Sequence, residues 1–199
     1  MKDNLLKGMK KVRWGVAFKT FGSSHHTLIG LLVEWWIDHG YGRNRYALDE
    51  GCTFKFREQG EGPKRCDAVL VESDNARGIV EVEGSGHKET INKMRKFFRS
   101  AELKDLEFGI FLAYPTNGSD RDGFNFEIPL EKMIEQGKKI TKKVKSIKLV
   151  MLFLEKKYEF FNKGHLRLKN IYYRGTPTKV RGVILRNGLV SCKLRTIWP

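Results

Sequence analysis

Cysteine is scarce in this sequence, and its scarcity argues against a disulfide-stabilised scaffold. The three cysteines are Cys52, Cys66 and Cys192, which are too few and too scattered to form a disulfide framework. No two of them have the C-x-x-C spacing that is typical of structural zinc sites. A reducing compartment is the simplest setting for such a chain, and we therefore expect a cytoplasmic location.

Long apolar runs are also missing. The N-terminal stretch MKDNLLKGMKKVRWG lacks the apolar segment of a signal peptide, and no stretch approaches the length of a membrane-spanning helix. There is no internal repeat and no low-complexity segment. Hydrophobic residues still make up 40% of the chain, which is enough for a packed core. We expect one globular domain with a small appendage and no membrane partner.

Acidic residues are few in comparison with basic ones. The chain has 38 Lys and Arg residues against 23 Asp and Glu, which gives a formal net charge of +15. Such an imbalance favours a polyanionic partner, because each neutralised phosphate releases counterions. Charge alone does not choose between DNA, RNA and an acidic membrane surface. A soluble basic protein with a solvated surface has the same composition.

Hydrophobic periodicity predicts an α/β core over residues 1–160 and a basic β-hairpin extension over 161–199. Residues 1–13 read as a basic arm, and Ser23-Ser24 can cap a helix that runs to about Asp38. The remaining elements of the core are expected to be strands over 52–58, 64–72 and 78–83, a helix over 87–101, a strand over 107–114, a helix over 128–140 and a strand over 146–154.

The extension carries a clear hairpin signal. Asn187-Gly188 separates two short apolar runs, 183–186 and 189–192, and this dipeptide favours a two-residue β-turn. Basic residues decorate the ribbon, and they could contact nucleic acid or keep an edge strand soluble, since the two roles look alike in sequence: Lys179, Arg181, Arg186, Lys193 and Arg195.

The first long helix is apolar nearly all round, so it should be largely buried. Trp35 and Trp36 are expected in the core. Glu34 lies on a narrow polar stripe that either reaches solvent or points into a cleft. His25-His26 could suggest a catalytic pair, but adjacent residues point in different directions. We therefore favour an N-terminal helix position without a catalytic role for the two histidines.

Three acids interrupt apolar strands in the centre of the chain. Asp67 precedes Ala-Val-Leu-Val, and Glu81 and Glu83 alternate with valines, so both glutamates point to one face of their strand. Unpaired carboxylates in a covered sheet would be costly. They persist where they face a cleft, a metal or a basic partner, whereas alternating Glu on an exposed strand face is ordinary.

The arrangement of strand, Asp67, hairpin, strand and Glu-x-Glu, followed by a basic helix, resembles the PD-(D/E)XK nuclease superfamily. Asp67, thirteen residues and then Glu81-Val82-Glu83 match its D…(D/E)-x-K layout, with Pro63 four residues before the Asp instead of adjacent. Glu83 stands where Lys is usual, as in some restriction enzymes of the superfamily. The resemblance covers about residues 24–115 and implies a restriction-endonuclease-like core, a mixed central sheet flanked by helices.

The resemblance also implies roles for individual residues. Asp67 and Glu81 would be ligands of Mg²⁺ or Mn²⁺, with the backbone C=O of Val82 completing the coordination. Glu83 would orient or deprotonate the attacking water, in place of the lysine. Glu34 matches an acidic position that supports the site in some members. Lys88 could supply the missing ammonium or contact phosphate, and it begins a basic stripe with Asn92, Arg95 and Arg99.

Strand register decides whether the three acids can meet. If residues 73–77 form a five-residue loop, Asp67 opposes Glu83 and all three carboxylates share a face. A four-residue loop sends the acids to opposite faces. The site therefore requires the odd loop or a β-bulge.

Three functions are compatible with these observations. The first is a Mg²⁺-dependent DNA endonuclease. Double-strand cutting would favour a homodimer, because each subunit can then serve one strand. The second is a nucleic-acid-binding module on a nuclease-like fold that has lost catalysis. The third is a basic RNA-binding or scaffolding protein in which the acids are coincidental.

Overall fold

The protein is mixed α/β, as a computed structural model shows. The structure describes residues 4–14, 24–49, 66–84, 94, 106–114, 130–160 and 173–198. Its helices are α1 Asn4–Met9, α2 Ser24–His39 and α3 Leu130–Lys143. Its strands are β1 Arg45–Asp49, β2 Ala68–Glu72, β3 Asn75–Glu83, β4 Phe108–Ala113, β5 Lys148–Phe160, β6 Tyr173–Arg186 and β7 Leu189–Trp198. None of the helices in the described ranges combines the length and apolarity needed to cross a membrane.

All seven strands belong to one mixed sheet, whose spatial order follows the chain from β1 to β7. The first three strands form an antiparallel meander. β4 runs parallel to β3, and β5 runs parallel to β4. β6 and β7 continue the sheet in antiparallel fashion. The parallel centre explains why β4 is apolar and buried along its whole length, since helices can then cover both of its faces.

Two hydrophobic clusters lie on the two faces of the sheet. The first packs α1 and α2 against Val80, Val82 and their neighbours, and it buries Trp35 and Trp36 as expected. The second packs α3 against residues that alternate with those of the first cluster, such as Ile79 and Phe111. The alternation of strand side chains between the two clusters fixes which face each strand residue serves.

The C-terminal hairpin confirms the Asn187-Gly188 signal, because both residues have positive φ, at 54° and 78°, as a type I′ turn requires. Its turn docks on α3, where the backbone N–H of Gly188 donates to Thr141 Oγ1 at 3.1 Å. Thr141 is fully buried. The hairpin thus continues the sheet of the core, and the predicted division at residue 160 stays a prediction.

Thr141→Val is expected to lower the free energy of unfolding by about 1–2 kcal/mol, because it removes the hydroxyl that accepts from the Gly188 N–H and donates to the Gly137 carbonyl, while keeping the side-chain volume. Chemical denaturation of the two proteins measures the difference. Thr196→Val is the matched control, since Thr196 is exposed on β7. Equal losses in both variants would show that the contact between turn and helix contributes nothing.

Two differences from expectation concern the first half of the chain. The basic arm contains the short helix α1, whose Leu6 and Met9 are fully buried. The first strand of the meander is β1, at Arg45–Asp49. The strand predicted at 52–58 and the helix predicted at 87–101 lie outside the described residues, apart from Met94, which is buried as its place on the apolar face of that helix predicts.

Candidate active site and basic surface

Asp67 lies one residue before β2, and its carboxylate is held by the backbone of β3. The Asp67 N–H donates to the Val80 carbonyl at 3.1 Å, and the Val82 N–H donates to Asp67 Oδ2 at 2.6 Å. The side-chain oxygen thus takes the place of a backbone carbonyl as the acceptor at the end of the ladder. Because strand N–H groups lie in the plane of the sheet, this bond sets the carboxylate at the strand edge, beside the backbone of Glu81 and Glu83.

A β-bulge produces this register. Only Ser73 and Asp74 lie between the paired residues Glu72 and Asn75, so the turn is tighter than the five-residue loop that the sequence suggested. The pairing then shifts between Leu70 and Val71, and Ala68 faces Val80. The extra residue in β3 restores the parity that the acids need, and Asp67 comes next to the position of Glu81 rather than that of Glu83.

His25 is a member of the site that the sequence interpretation assigned no role. It is the second residue of α2, and its Nε2 lies 3.4 Å from Asp67 Oδ1. The Asp67 side chain is 12% exposed and that of His25 is 36% exposed. Both oxygens of Asp67 are therefore oriented, one by the Val82 amide and one toward an imidazole that can accept or donate a proton.

Glu83 and Tyr114 lie at the same end of the sheet. Glu83 is buried, at 8% exposure, and its carbonyl accepts a hydrogen bond from the Tyr114 N–H at 3.0 Å. A Cβ at Gly84 would overlap the Tyr114 ring, so glycine lets the ring lie against the strand. Burial raises the pKa of Tyr114, and the negative charges of Glu83 and Asp67 raise it further. The phenol therefore stays protonated and reports on both carboxylates.

Glu83→Gln is expected to lower the pKa of Tyr114 toward its ordinary value, because a negative charge beside the phenolate disappears. In the wild type, the stability that the protonated phenol contributes is present below the unfolded pKa of about 10. That stability is lost as the pH rises through the higher pKa of the folded state. Tyrosine-selective NMR titration measures the shift, with Tyr114→Phe assigning the signal and Glu131→Gln, on the exposed face of α3, as control. If Glu83→Gln leaves the pKa of Tyr114 unchanged, the Glu83 carboxylate does not act on the Tyr114 phenol.

The remaining predicted site residues are distributed unevenly. Glu81 is half-buried, with Oε2 fully buried, and it shares a strand face with Glu83. Glu34 pairs with Arg13 at the surface, about 13 Å along α2 from His25 at 1.5 Å per residue, so the structure does not bring it to Asp67. The residues of the predicted basic helix lie outside the described part of the chain: Lys88, Asn92, Arg95 and Arg99.

Basic residues of β6 approach the row of acids. Glu83 pairs with Ala113, Ala113 with Phe153, and Phe153 with Arg181. Residues paired in this way share a face, and three strand spacings put Arg181 about 14 Å from Glu83. Lys179 lies two residues earlier in the same strand. The carboxylates therefore have positive charge at the same end of the sheet.

The opposite end of the hairpin forms a second basic region, together with α3. Arg186 and Lys193 are exposed, while Lys179, Arg181 and Arg195 are half-buried. The turn at Gly188 approaches Lys142 of α3, and that helix contributes further exposed lysines that the sequence interpretation did not single out: Lys132, Lys139, Lys142 and Lys143. Their helical spacing on an amphipathic helix was the signal available for them.

Among the side chains that the structure describes, no three His, Cys, Asp or Glu residues are grouped so as to hold a metal ion. The predicted ligand set has only two side chains, Asp67 and Glu81, with the Val82 carbonyl as third donor. Magnesium in proteins is held through one or two carboxylates, keeps several waters and takes oxygens from substrate phosphates. Two carboxylates and one backbone carbonyl are hard oxygen donors, and a set of that kind fits this preference.

No protein-family model, no curated protein and no solved structure matches this chain.

Proposed function

We propose that this protein is a metal-dependent DNA endonuclease that hydrolyses phosphodiester bonds on a restriction-endonuclease-like core, as its resemblance to the PD-(D/E)XK superfamily implies. One observation carries the proposal. The Asp67 carboxylate is bound at 2.6 Å by the amide of Val82, between the two glutamates of the motif. This contact supports the proposal, because it joins Asp67 to the strand that carries Glu81 and Glu83.

The topology supports the proposal. The resemblance calls for a helix, a three-stranded meander, a second helix and a further strand. The chain has α2, β1–β3 and β4 in that order, and the second helix, predicted over 87–101, lies outside the described residues apart from Met94. Because β4 is parallel to β3, Tyr114 follows β4 at the same end where Glu83 finishes β3. The carboxylates therefore lie together at one end of the sheet, which is where the proposal places the scissile phosphate.

Asp67 and Glu81 would hold the Mg²⁺ or Mn²⁺ ion with the Val82 carbonyl. When bound, the ion supplies a positive charge that polarises the scissile phosphate and lowers the pKa of water. The amide of Val82 holds the Asp67 carboxylate in place, because it donates to Oδ2 at 2.6 Å. Glu83 orients the attacking water and accepts its proton. That water's oxygen would form the new bond to phosphorus as the bond to the leaving oxygen breaks, and the leaving oxygen would take up a proton from solvent.

Positive charge at both ends of the hairpin would hold the DNA. Arg181, about 14 Å from Glu83, would contact a phosphate other than the cleaved one. Arg186 and Lys193 would contact phosphates further along. Such contacts position the duplex without reading its sequence.

A binding module that does not cleave is the second candidate function. Its support is specific: Glu83 replaces the usual lysine, and His25 lies beside one Asp67 oxygen, where it would compete with a cation. In that case the acidic end would be a remnant and the basic surface would carry the function.

One cleavage experiment separates the two functions. The protein is incubated with supercoiled, linear, single-stranded and branched DNA, in Mg²⁺, in Mn²⁺ and in EDTA. If the protein is an endonuclease, we expect metal-dependent cutting of at least one DNA form. Double-strand cutting, together with a dimer in analytical sedimentation, would indicate that it acts as a homodimer. If every form binds and none is cut above the EDTA control, the binding module is the function.

A further inference from the structure

A cleft lies far from the acids, between α1 and the end of α2, over the first residues of β4 and β5. Its volume is about 330 Å³, which is at the lower end of the roughly 300–1,000 Å³ of small-molecule sites. Phe108 lines it, five residues before Ala113, which pairs with Glu83. At about 3.3 Å per residue, the cleft is about 17 Å from the acidic end of the sheet.

Three of the side chains that line this cleft are lysines. Lys7 and Lys11 approach from α1 and the residues after it, and Lys148 approaches from the start of β5. The one carboxylate of the lining, Glu107, is already engaged, because Arg77 Nη1 donates to its Oε1 at 2.6 Å and the Tyr41 hydroxyl donates to its Oε2 at 2.6 Å. Arg77 also donates to Glu72 from Nε at 2.8 Å, so Glu107 keeps part of its negative charge, and the three lysines leave the lining with a net positive charge.

The negative end of the α2 dipole is also compensated. Arg45 donates to the last carbonyls of the helix and of the loop after it, from Nε to Ile37 at 2.9 Å and from Nη1 to Gly42 at 2.9 Å. A cation at a helix C-terminus offsets its partial negative charge. An anion in the cleft consequently meets lysines without strong opposition from the helix.

Trp35 brings a buried indole N–H to the wall of this cleft. Trp35 lines the cleft and is 3% exposed, and among the described residues its Nε1 has no acceptor. Indole nitrogen is only a donor, and buried donors are nearly always paired. Trp14 and Trp36 obey that rule, since their Nε1 atoms donate to the carbonyls of Met9 and Val71. Trp35 therefore offers a donor that a ligand acceptor would complete.

Gly8 lies against the indole of Trp35. A Cβ at Gly8 would lie 3.0 Å from Trp35 Nε1 and 3.2 Å from Cζ2, so a larger residue at this position would crowd the indole ring. Aromatic side chains of Tyr41 and Phe108 complete the lining. The cleft thus combines donors, positive charge and aromatic surface at the size of a single nucleotide.

We propose that this cleft binds one phosphorylated nucleoside, either a free nucleotide or the phosphorylated end of a single-stranded nucleic acid. The lysines take the phosphate, Trp35 Nε1 donates to a ligand oxygen or ring nitrogen, and the base packs against the aromatic lining. The inference is independent of cleavage, because it uses none of the carboxylates of Asp67, Glu81 and Glu83.

The test follows the indole N–H signals of the whole protein by ¹⁵N NMR in EDTA, with Trp35→Phe assigning the Trp35 signal. The probes are adenosine monophosphate, adenosine, inorganic phosphate and a short single-stranded oligonucleotide with a 5′-phosphate. We expect the nucleotide, the oligonucleotide or both to shift the Trp35 signal while leaving those of Trp14 and Trp36 in place. Shifts by the nucleotide identify a free ligand, and shifts by the oligonucleotide alone identify a nucleic-acid end.

Variants sharpen the test. Lys148→Ala and Gly8→Ala should each weaken binding of adenosine monophosphate about tenfold, the first by removing a charge and the second by crowding the Trp35 indole without changing any charge. Lys132→Ala, on the exposed face of α3, is the matched control and should bind adenosine monophosphate as the wild type does. The proposal is overturned if no probe moves the Trp35 signal, if adenosine binds as tightly as its monophosphate, or if Gly8→Ala folds and binds normally.

Discussion

Asp67→Asn is expected to reduce metal-dependent cleavage by about three orders of magnitude, the scale of losing several kcal/mol of charge stabilisation in the transition state. The substitution keeps the local structure. Asparagine retains an oxygen that can accept from the Val82 N–H, and its amide can donate to the His25 ring at the position of Oδ1. The change is measured as the single-turnover cleavage rate, with enzyme in excess over DNA and with saturating metal ion. Circular dichroism checks that the variant keeps its fold.

DNA binding by the variant should persist or become tighter, since a negative charge near phosphate is lost. Glu34→Gln is the matched control. It removes a carboxylate of the same chain that pairs with Arg13 at the surface, and cleavage should change less than about twofold, as surface pairs contribute little. If Asp67→Asn cleaves DNA at nearly the wild-type rate, the Asp67 carboxylate has no role in catalysis.

Identifying the acids required only short-range sequence information. Glu81 and Glu83 alternate with buried valines, and this alternation alone predicts that both glutamates lie on one face of the strand. The register between β2 and β3 could not be predicted in the same way, because it depends on a bulge of one residue between the turn and Asp67. A tight turn with a bulge and a five-residue loop are equally compatible with the composition of residues 73–77.

Members of the site that come from distant elements were beyond such a prediction. His25 reaches Asp67 because α2 crosses the meander, and Tyr114 reaches Glu83 because β4 is parallel to β3. Neither relation leaves a local pattern in sequence. For Glu34, helical periodicity gave the angle between residues, but not which stripe meets the sheet and which meets Arg13.

Salt dependence is expected to show the other large effect. If the protein contacts six or more phosphates, raising the salt from 50 to 200 mM should weaken DNA binding by about a thousandfold or more. The net charge of +15 and the exposed cations of α3 and the hairpin supply enough positive groups for that number. Fluorescence anisotropy in EDTA, where metal-dependent cleavage does not occur, gives the slope of log affinity against log salt.

Replacing Arg186 and Lys193 together by Ala should flatten that slope by about two units, one for each lost phosphate contact, and weaken binding to all sequences alike. Both side chains are exposed, so the fold should tolerate their loss. Arg43→Ala is the control, since Arg43 is an exposed cation in the loop that leads into β1, at the other edge of the sheet. Arg43→Ala should keep the wild-type slope if the hairpin holds the DNA. If the hairpin variant keeps the wild-type slope, Arg186 and Lys193 do not contact DNA. Their role would then be to protect an edge strand, because β7 is the last of the described strands in the sheet and charged residues on an edge discourage pairing with another chain.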